Sequence, residues 1–369
     1  MMDKISIIIP TYNERENIKE LIPYIDSVLK ENNITDYEII IVDDNSPDGT
    51  ADEAKKLSEK YPVKVIVRKN EKGLASAVIE GIKHASGNFC VVMDADFQHP
   101  PEVIPKLVNK LKEGYELVIA SRYIEGGKIE KWNPVRKLIS KTATILAYIL
   151  FPQLKNIHDI MSGFFAFKTE LVKRNLDKLN PLGYKILLEI LIKCDIEKIC
   201  EIPYTFKERK YGKSKLGIKN IVYYVIHLIK LSKYSKNYFP KFIIVGGIGT
   251  IVNFLVYNLI LYLLGKASQL IITLAWLCGV EAGIINNFVL HEHWTFAPEN
   301  LDKSKKSVTI RCLEFHLSNI GYIIITTATI YLLSILIGPK PILNWLGAIT
   351  IGLIWNYFIA RKIIWKGRK

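Results

Sequence analysis

The chain has 369 residues, a formal net charge of +14 and 49% hydrophobic residues. Its length allows more than one domain, and strong positive charge combined with so much apolar surface argues against an ordinary soluble enzyme. Basic residues flank apolar segments and form no continuous stripe, so we expect an anionic membrane surface and phosphorylated substrates as partners, and no nucleic acid.

The first part of the chain predicts alternating strands and helices. The predicted strands cover residues 5–9, 38–42, 63–67, 89–94 and 117–121. The predicted helices cover residues 15–30, 49–60, 73–85 and 101–113. Runs of β-branched residues separated by helices are typical of a parallel sheet covered on both faces, whose ligands gather beyond the carboxyl ends of the strands.

Three polar clusters, at residues 10–12, 43–44 and 94–96, lie at the ends of predicted strands. The fourth strand leads into Asp94 and Asp96, whose alternate positions share one face of an extended segment. With Gln98, these oxygens suit Mg²⁺ or Mn²⁺, which share their coordination with substrate phosphates. A solvated acidic turn is the alternative. The pattern predicts a metal site that offsets the charge of a departing nucleotide diphosphate.

Residues at the first two strand ends predict a nucleoside site. Asp44 can accept hydrogen bonds from a base or ribose, and Tyr12 and Glu14 lie at the neighbouring strand end. Each of them alone is equally typical of a turn. The sequence lacks the glycine-rich phosphate loops of nucleotide hydrolases and dinucleotide enzymes, which argues against ATP hydrolysis and hydride transfer.

Basic residues further along the chain predict phosphate contacts. Arg122 follows the fifth strand, and Arg136 precedes Ser140 by one turn on the same helix face. This pair suits a phosphate at membrane level, although a snorkelling arginine without a ligand fits the same pattern. A basic, glycine-containing loop at residues 209–215 follows a strand at 202–206 and is suited to fold over a diphosphate. A surface loop beside anionic lipid is the alternative.

The later sequence predicts contact with a membrane. The stretches 132–150 and 218–234 mix apolar and basic side chains and are predicted to lie in the headgroup region, with ordinary helices packed on the sheet as the alternative. Four apolar segments, at 242–264, 270–290, 313–337 and 342–359, are each about long enough to cross a bilayer. Glu281, Asn286 and Asn287 interrupt the second segment, and we expect them to face the bundle interior.

The loop charges predict the orientation of these spans. Lysine and arginine are concentrated before the first span, between the second and third, and after the fourth, whereas the opposite turns offer only Lys266 and Lys340. By the positive-inside rule, the catalytic part and both termini are cytoplasmic in a multi-pass protein of the cell membrane. The absence of a signal-peptide pattern and five scattered cysteines without metal spacing agree with a reducing compartment.

Five motifs occur along the first part of the chain: PTYNE at residues 10–14, VDDNS at 42–46, DADFQHP at 94–100, SGF at 162–164 and RxxGxSK at 209–215. Together they resemble those of the dolichol-phosphate mannose synthases, inverting family 2 glycosyltransferases of the GT-A fold. The resemblance covers about the first 235 residues in the family's order and spacing. Further on, FIIVGG at 242–247, NNF at 286–288 and WTF at 294–296 resemble the GtrA-type four-helix membrane domain.

The resemblance implies an α/β fold with a GT-A, Rossmann-like, mostly parallel sheet, interfacial amphipathic helices and a four-helix transmembrane domain. It implies a catalytic domain at 1–217, an interfacial linker at 218–240 and a membrane domain at 241–369. The residues implied to bind the nucleotide sugar are Pro10, Tyr12, Glu14, Val42, Asp44, Asp94, Ala95, Asp96, Gln98, Lys185, Arg209 and Lys215. Asp94, Asp96 and Gln98 would hold the metal, and Arg122, Arg136 and Ser140 would receive the lipid phosphate.

The activity implied by the resemblance is inverting transfer of a hexose, first of all mannose from GDP-mannose, to dolichyl or another polyprenyl phosphate. A glucosyltransferase using UDP-glucose would carry almost the same motifs, because sugar choice depends on a few hydroxyl contacts. A module that mainly translocates lipid-linked sugar would not need the intact donor motifs. Processive membrane glycosyltransferases usually carry a QxxRW motif, which is absent from the sequence.

Overall fold

The structure is a computed structural model that describes residues 3–132, 134–180, 185–211, 218–264, 268–299, 301–336, 338 and 341–366. The chain forms two compact units, Met1–Tyr234 and Ser235–Lys369. The division between them lies inside the stretch 218–240 that was predicted as a linker, so the helix at Ile218–Leu231 belongs to the first unit.

A seven-stranded sheet forms the centre of the first unit. Its strands are β1 (Ile5–Thr11), β2 (Tyr37–Asp43), β3 (Val63–Val67), β4 (Phe89–Val92), β5 (Leu117–Ser121), β7 (Phe165–Lys168) and β8 (Ile199–Pro203). They are ordered β3-β2-β1-β4-β7-β5-β8, and a second, small sheet pairs β6 (Lys128–Ile129) with β9 (Thr205–Phe206). Neighbouring strands are parallel except at β7. The predicted mostly parallel α/β sheet is confirmed.

The sequence pattern did not reveal strand β7. It runs antiparallel between β4 and β5. A reversed strand begins at the edge where its neighbours end. Residues 162–164, which precede β7, are therefore brought to the carboxyl ends of the parallel strands.

Helices cover both faces of the sheet, because strand residues alternate between two hydrophobic cores. One face carries α1 (Arg15–Glu31), α2 (Thr50–Leu57) and α4 (Ile104–Lys112). The other face carries α3 (Leu74–His84), α5 (Pro134–Leu150), α6 (Thr169–Lys173), α7 (Ile186–Lys193) and α8 (Ile218–Leu231).

Prolines explain two differences from the predicted elements. The helix predicted at 101–113 begins with a 3₁₀ turn at Pro101–Val103, and α4 follows with Pro105 in its first turn. The strand predicted at 202–206 is divided, because β8 ends at Pro203 and the chain then pairs with β6. Proline lacks the N–H that would continue a ladder of hydrogen bonds.

The amphipathic helices α5 and α8 each present one apolar face to solvent. Leu138 on α5 is 65% exposed and Ile229 on α8 is 51% exposed. Their opposite faces, which include Ala147 and Leu228, are buried in the core of the first unit. Helices of this kind suit the interface of a bilayer, which remains a prediction for both.

The second unit contains four helices that are long and apolar enough to cross a membrane within the described residues. They are α9 (Tyr238–Leu264), α10 (Gln269–Leu290), α11 (Lys305–Leu336) and α12 (Pro341–Ile359). Trp365, after α12, is fully buried, and its Nε1 donates to Glu292, just beyond α10, at 2.8 Å. Glu292 also pairs with Arg311 near the start of α11. These contacts join three helices at one end of the bundle.

Among the polar residues predicted to face the bundle interior, Asn287 packs between two helices, whereas Glu281 is partly exposed. Asn287 fills the space opposite Gly249, where an added Cβ would lie 2.2 Å from its Oδ1. The Glu281 side chain is 55% exposed, and its Oε1 lies 3.0 Å from Nε2 of His316 on α11. Glu281 therefore links α10 to α11 at a partly exposed position and is not enclosed by the bundle.

Candidate active site

The carboxyl ends of β1, β2 and β4 form one edge of the sheet, because these three strands are adjacent and parallel. The clusters at residues 10–12, 43–44 and 94–96 come together there, as expected. Asn13, Asn45 and Phe97 adopt left-handed backbone conformations at this edge, with φ of 59°, 55° and 63°. Bulky residues such as Phe97 rarely adopt positive φ, and such outliers cluster at functional turns that the surrounding structure holds in place.

Buried His99 holds the turn that follows β4. Its Nδ1 accepts a hydrogen bond from the Asp94 N–H at 2.9 Å, and its ring stacks on Phe164 with centroids 5.1 Å apart. Since Nδ1 is an acceptor, the imidazole is neutral, and burial lowers the pKa of His99 to about 4. The Gln98 N–H donates to Asp96 Oδ1 at 3.1 Å, which fixes the second carboxylate in the same turn.

Gly163, immediately before Phe164 and β7, allows the chain to approach this turn closely. A Cβ at this position would lie 3.2 Å from Cε1 of His99 and 3.4 Å from Oδ2 of Asp94. Both distances are short for carbon packed against a ring and a carboxylate. Glycine in the SGF motif therefore leaves room for the Asp94 side chain.

The carboxylates of Asp94 and Asp96 lack full compensation of their charge. Burial raises the pKa of Asp94 to about 6, although Arg209, Lys185 and Arg122 act to lower it. Burial and then the charge of Asp94 raise the pKa of Asp96 above its usual value. A bound cation would favour the ionised form of both groups.

The donor set at this turn fits a hard divalent cation. Across the residues that the structure describes, no three His, Cys, Asp or Glu side chains converge on a ready-made metal site. The available donors are the carboxylates of Asp94 and Asp96 and the amide oxygen of Gln98. Such a set suits Mg²⁺ or Mn²⁺ that completes its coordination with water and phosphate oxygens, and it lacks the nitrogen and sulfur ligands typical of Zn²⁺.

Residues 207–211 contact the same turn. Arg209 pairs with Asp96 at 2.8 Å, and the Lys210 N–H donates to the Asp96 carbonyl at 3.2 Å. The Lys210 side chain binds Glu20 on α1. The basic segment therefore reaches the turn at residues 94–98 and the first helix. Lys215, predicted on this loop, lies outside the described residues.

Asp44 is buried, and both of its carboxylate oxygens have partners. Its Oδ1 accepts from the Arg68 Nε at 2.8 Å, and its Oδ2 accepts from the Gly73 N–H at 2.7 Å. Arg68 also donates to the Gly73 carbonyl at 2.9 Å. Asp44 thus orders the turn before α3, and a base or ribose would share its oxygens with these partners.

The other residues predicted to bind the nucleoside differ in burial: three are buried and apolar, and two are half-buried and polar. Pro10 and Val42 are buried partners in the β1–β2 register, and Ala95 is buried in the turn after β4. Tyr12 and Glu14 are half-buried between β1 and α1. Three buried apolar residues and two polar side chains therefore lie at the same edge of the sheet.

Arg122 forms a buried, bidentate ion pair with Asp159. Its Nε and one terminal nitrogen each lie 2.8 Å from the carboxylate, and its backbone N–H donates to Asp159 at 3.0 Å. Burial acts to lower the pKa of Arg122, but the charge and hydrogen bonds of Asp159 outweigh it and raise that pKa. The sequence analysis did not identify Asp159, because this residue belongs to no motif and its partner Arg122 is 37 residues away in the chain.

The three groups predicted to receive a lipid phosphate surround one pair of aromatic rings. The Arg122 guanidinium lies 5.4 Å from the Tyr123 ring and 5.3 Å from the Trp132 ring. The Arg136 guanidinium lies 4.6 Å from the same Trp132 ring. Ser140 Oγ lies 3.0 Å from the Tyr123 hydroxyl. Two guanidinium groups and a hydroxyl thus converge although 18 residues separate Arg122 from Ser140.

Lys185, at the start of α7, reaches the space between these groups and the carboxylates. Its ammonium donates to the Met161 carbonyl at 3.2 Å. Burial and then the charge of Arg122 lower the pKa of Lys185 to about 8, against the opposing charges of Asp159 and Asp94. The predicted metal, donor and phosphate residues are therefore close enough to act on one another electrostatically.

Comparison with known proteins supports the same division into two parts. A family model described as "Glycosyl transferase family 2" matches residues 6–176, and one described as "GtrA/DPMS, transmembrane domain" matches residues 241–365. A dolichol-phosphate mannosyltransferase of Pyrococcus furiosus is 44% identical over 368 residues, which cover 98% of this chain and 99% of that protein.

Other relatives match the first unit. A dolichol-phosphate mannosyltransferase of Saccharomyces cerevisiae is 39% identical over 234 residues, which cover 61% of this chain and 86% of that protein. Among solved structures, a glucosyl-3-phosphoglycerate synthase from Mycobacterium tuberculosis is 20% identical with a TM-score of 0.48. That match covers 63% of this chain and 80% of the other.

Proposed function

Because this chain belongs to the dolichol-phosphate mannosyltransferases, family 2 glycosyltransferases with a GtrA/DPMS transmembrane domain, we propose that it transfers mannose from GDP-mannose to dolichyl phosphate. The chain is a glycosyltransferase and a multi-pass membrane protein. The reaction inverts the anomeric centre and yields a β-linked lipid phosphate sugar at the cytoplasmic face of the membrane. The observation that carries the proposal is that the partly exposed Asp94, the buried Asp96 and a group of arginines meet at one sheet edge.

The donor half of the site is built at the ends of the three strands β1, β2 and β4. Tyr12, Glu14 and Asp44 lie where a nucleoside would bind, at the ends of β1 and β2. Asp94 and Asp96, with Gln98, would hold a divalent cation that neutralises charge on the departing GDP. Arg209 and Lys185 place two further positive charges beside these carboxylates, suited to the diphosphate oxygens.

The acceptor half needs no strong general base. A polyprenyl phosphate is already ionised at neutral pH, so its oxygen can attack the anomeric carbon once it is aligned. Arg122, Arg136 and Ser140 offer the fork-shaped donors and hydroxyl that hold a phosphate in one orientation. Asp159 keeps the Arg122 guanidinium fixed, so the positive charge is in place before the lipid arrives.

Replacing Arg136 with alanine should raise the KM for dolichyl phosphate about tenfold, or more, and change the KM for GDP-mannose much less. The reason is that a charge-assisted contact to phosphate contributes about 1.5–3 kcal/mol. The measurement is initial-rate kinetics with each substrate varied in turn, using Lys137→Ala, an exposed neighbour on α5, as the control. An unchanged lipid dependence would show that Arg136 only anchors the helix.

Lys185 should make GDP affinity depend on pH. Its lowered pKa of about 8 means that the ammonium is charged below pH 8 and neutral above it. Diphosphate binding favours the charged form, so affinity should be level below pH 8 and fall by up to about tenfold per pH unit above it. Calorimetric titration from pH 7 to 9.5 measures this. Lys185→Arg stays charged and should remove the decline, whereas equal slopes in both proteins would refute the assignment.

The test of the proposed function is a panel of radiolabelled nucleotide sugars, offered with dolichyl phosphate to the purified full chain. We expect label from GDP-mannose to become soluble in organic solvent and to require a divalent cation. Label from UDP-glucose alone would assign a polyprenyl-phosphate glucosyltransferase. No lipid-linked label from any donor, together with transport of preformed lipid-linked sugar, would assign a translocation module.

A further inference from the structure

Helix α8 makes two hydrogen bonds, one helical turn apart, to two different helices of the first unit. The Tyr224 hydroxyl donates to the Ala143 carbonyl of α5 at 2.7 Å. The His227 Nε2 lies 3.2 Å from Oε2 of Glu189 on α7. Residues three apart on a helix share one face, so α8 contacts both helices with the same face.

The two contacted helices carry different halves of the candidate site. Ala143 lies on α5 one turn beyond Ser140, the hydroxyl predicted to bind the acceptor phosphate. Glu189 lies on α7 one turn beyond Lys185, which caps that helix and is close enough to Asp94 of the donor half for their charges to interact. The contacts of α8 therefore fix the acceptor side and the donor side relative to each other.

Glu189 is the point through which α8 reaches the donor side. Its carboxylate is fully buried and also accepts the Asn180 N–H at 2.8 Å and pairs with Lys193. Burial acts to raise the pKa of Glu189, but the hydrogen bonds from His227, Lys193 and Asn180 outweigh it and lower that pKa. A buried carboxylate held by three donors has one preferred position.

The opposite face of α8 is apolar and exposed. It carries exposed apolar side chains, namely Ile221, Val222, Val225, Ile226 and Ile229. This face suits the bilayer interface, from which the lipid acceptor arrives. The helix that meets the lipid surface is thus the helix that touches both halves of the site.

We propose that α8 aligns the two substrates, with Tyr224 positioning the acceptor helix α5 and His227 positioning the donor-side helix α7 through Glu189. This inference rests on the proposed function, in which an acceptor oxygen must be aligned with the anomeric carbon of the donor. Neither residue touches substrate. Each acts on one half of the site, so replacing Tyr224 should change the KM for the lipid acceptor and replacing His227 should change the KM for the sugar donor.

The test compares Tyr224→Phe and His227→Leu in the full chain, reconstituted in liposomes that contain dolichyl phosphate. Tyr224→Phe should raise the KM for dolichyl phosphate roughly three- to tenfold and leave the KM for GDP-mannose unchanged. His227→Leu should raise the KM for GDP-mannose and the Kd for GDP by a similar factor, and leave the lipid KM unchanged. His227→Gln keeps an N–H donor for Glu189 and should restore donor affinity.

Val225→Ala is the control, because it shortens a 42% exposed side chain of α8 next to Tyr224 and removes neither hydrogen bond. Equal changes in both KM values, or a lowered melting temperature with both KM values unchanged, would overturn the inference. If His227→Leu does not fold, the KM values of Tyr224→Phe and His227→Gln test the inference: Tyr224→Phe should change only the lipid KM, and His227→Gln should keep donor affinity. An inactive wild-type chain in which His227→Leu still weakens GDP binding would refute the proposed function and retain the donor-side assignment.

Discussion

Replacing Asp96 with alanine is expected to lower kcat/KM for sugar transfer by at least about 10³-fold, even with excess Mg²⁺ or Mn²⁺. The substitution removes one of two carboxylates that would hold the cation, and it leaves Arg209 without its partner at 2.8 Å. The departing GDP would then leave without its main charge stabilisation. Transfer of radiolabelled mannose to dolichyl phosphate, measured across a range of metal concentrations, gives the result.

A binding measurement separates metal loss from misfolding. Mn²⁺ should strengthen GDP binding to the wild-type chain and have much less effect on Asp96→Asn, which keeps the shape of the side chain. Asp52→Ala, a carboxylate removed from the exposed surface of α2, is the control and should behave as wild type. Near-normal turnover by Asp96→Ala would disprove the metal assignment, as would full activity after thorough chelation.

Replacing Asp159 with alanine should destabilise the first unit by about 3–5 kcal/mol, because it leaves the buried Arg122 guanidinium without its counter-charge. Asp159→Asn preserves the shape of the side chain and should cost less stability. It should still lower kcat/KM for dolichyl phosphate, about tenfold or more, because Arg122 is no longer held in one orientation. Denaturant unfolding and initial-rate kinetics measure the two effects.

A double replacement distinguishes stability from function. Arg122→Met combined with Asp159→Leu removes both buried charges and should recover much of the stability that Asp159→Ala loses. It should not recover acceptor affinity, because no guanidinium remains to bind the phosphate. If the double variant transferred mannose with a normal lipid KM, Arg122 would be a structural residue and the phosphate site would lie elsewhere.

Features that depend on neighbouring residues could be predicted from the sequence alone. The strands at 63–67 and 117–121 were predicted with their observed bounds, because each is a short apolar run between turn residues. The four long apolar helices were likewise predicted, since length and composition alone decide whether a segment can cross a bilayer. The meeting of the polar clusters at residues 10–12, 43–44 and 94–96 followed from one rule, that parallel strands end at the same edge.

Tertiary structure alone decided which charged residues pair and where the reversed strand lies. Arg68 pairs with Asp44 across 24 residues, and Arg122 pairs with Asp159 across 37 residues. No sequence period or motif connects such residues. A buried charge needs a partner, and the folded structure determines which residue is close enough to be that partner. Strand β7 is only four residues long, and its place between β4 and β5 depends on pairing with both. Local patterns therefore determined the elements and the site edge, and long-range burial decided how the site is held.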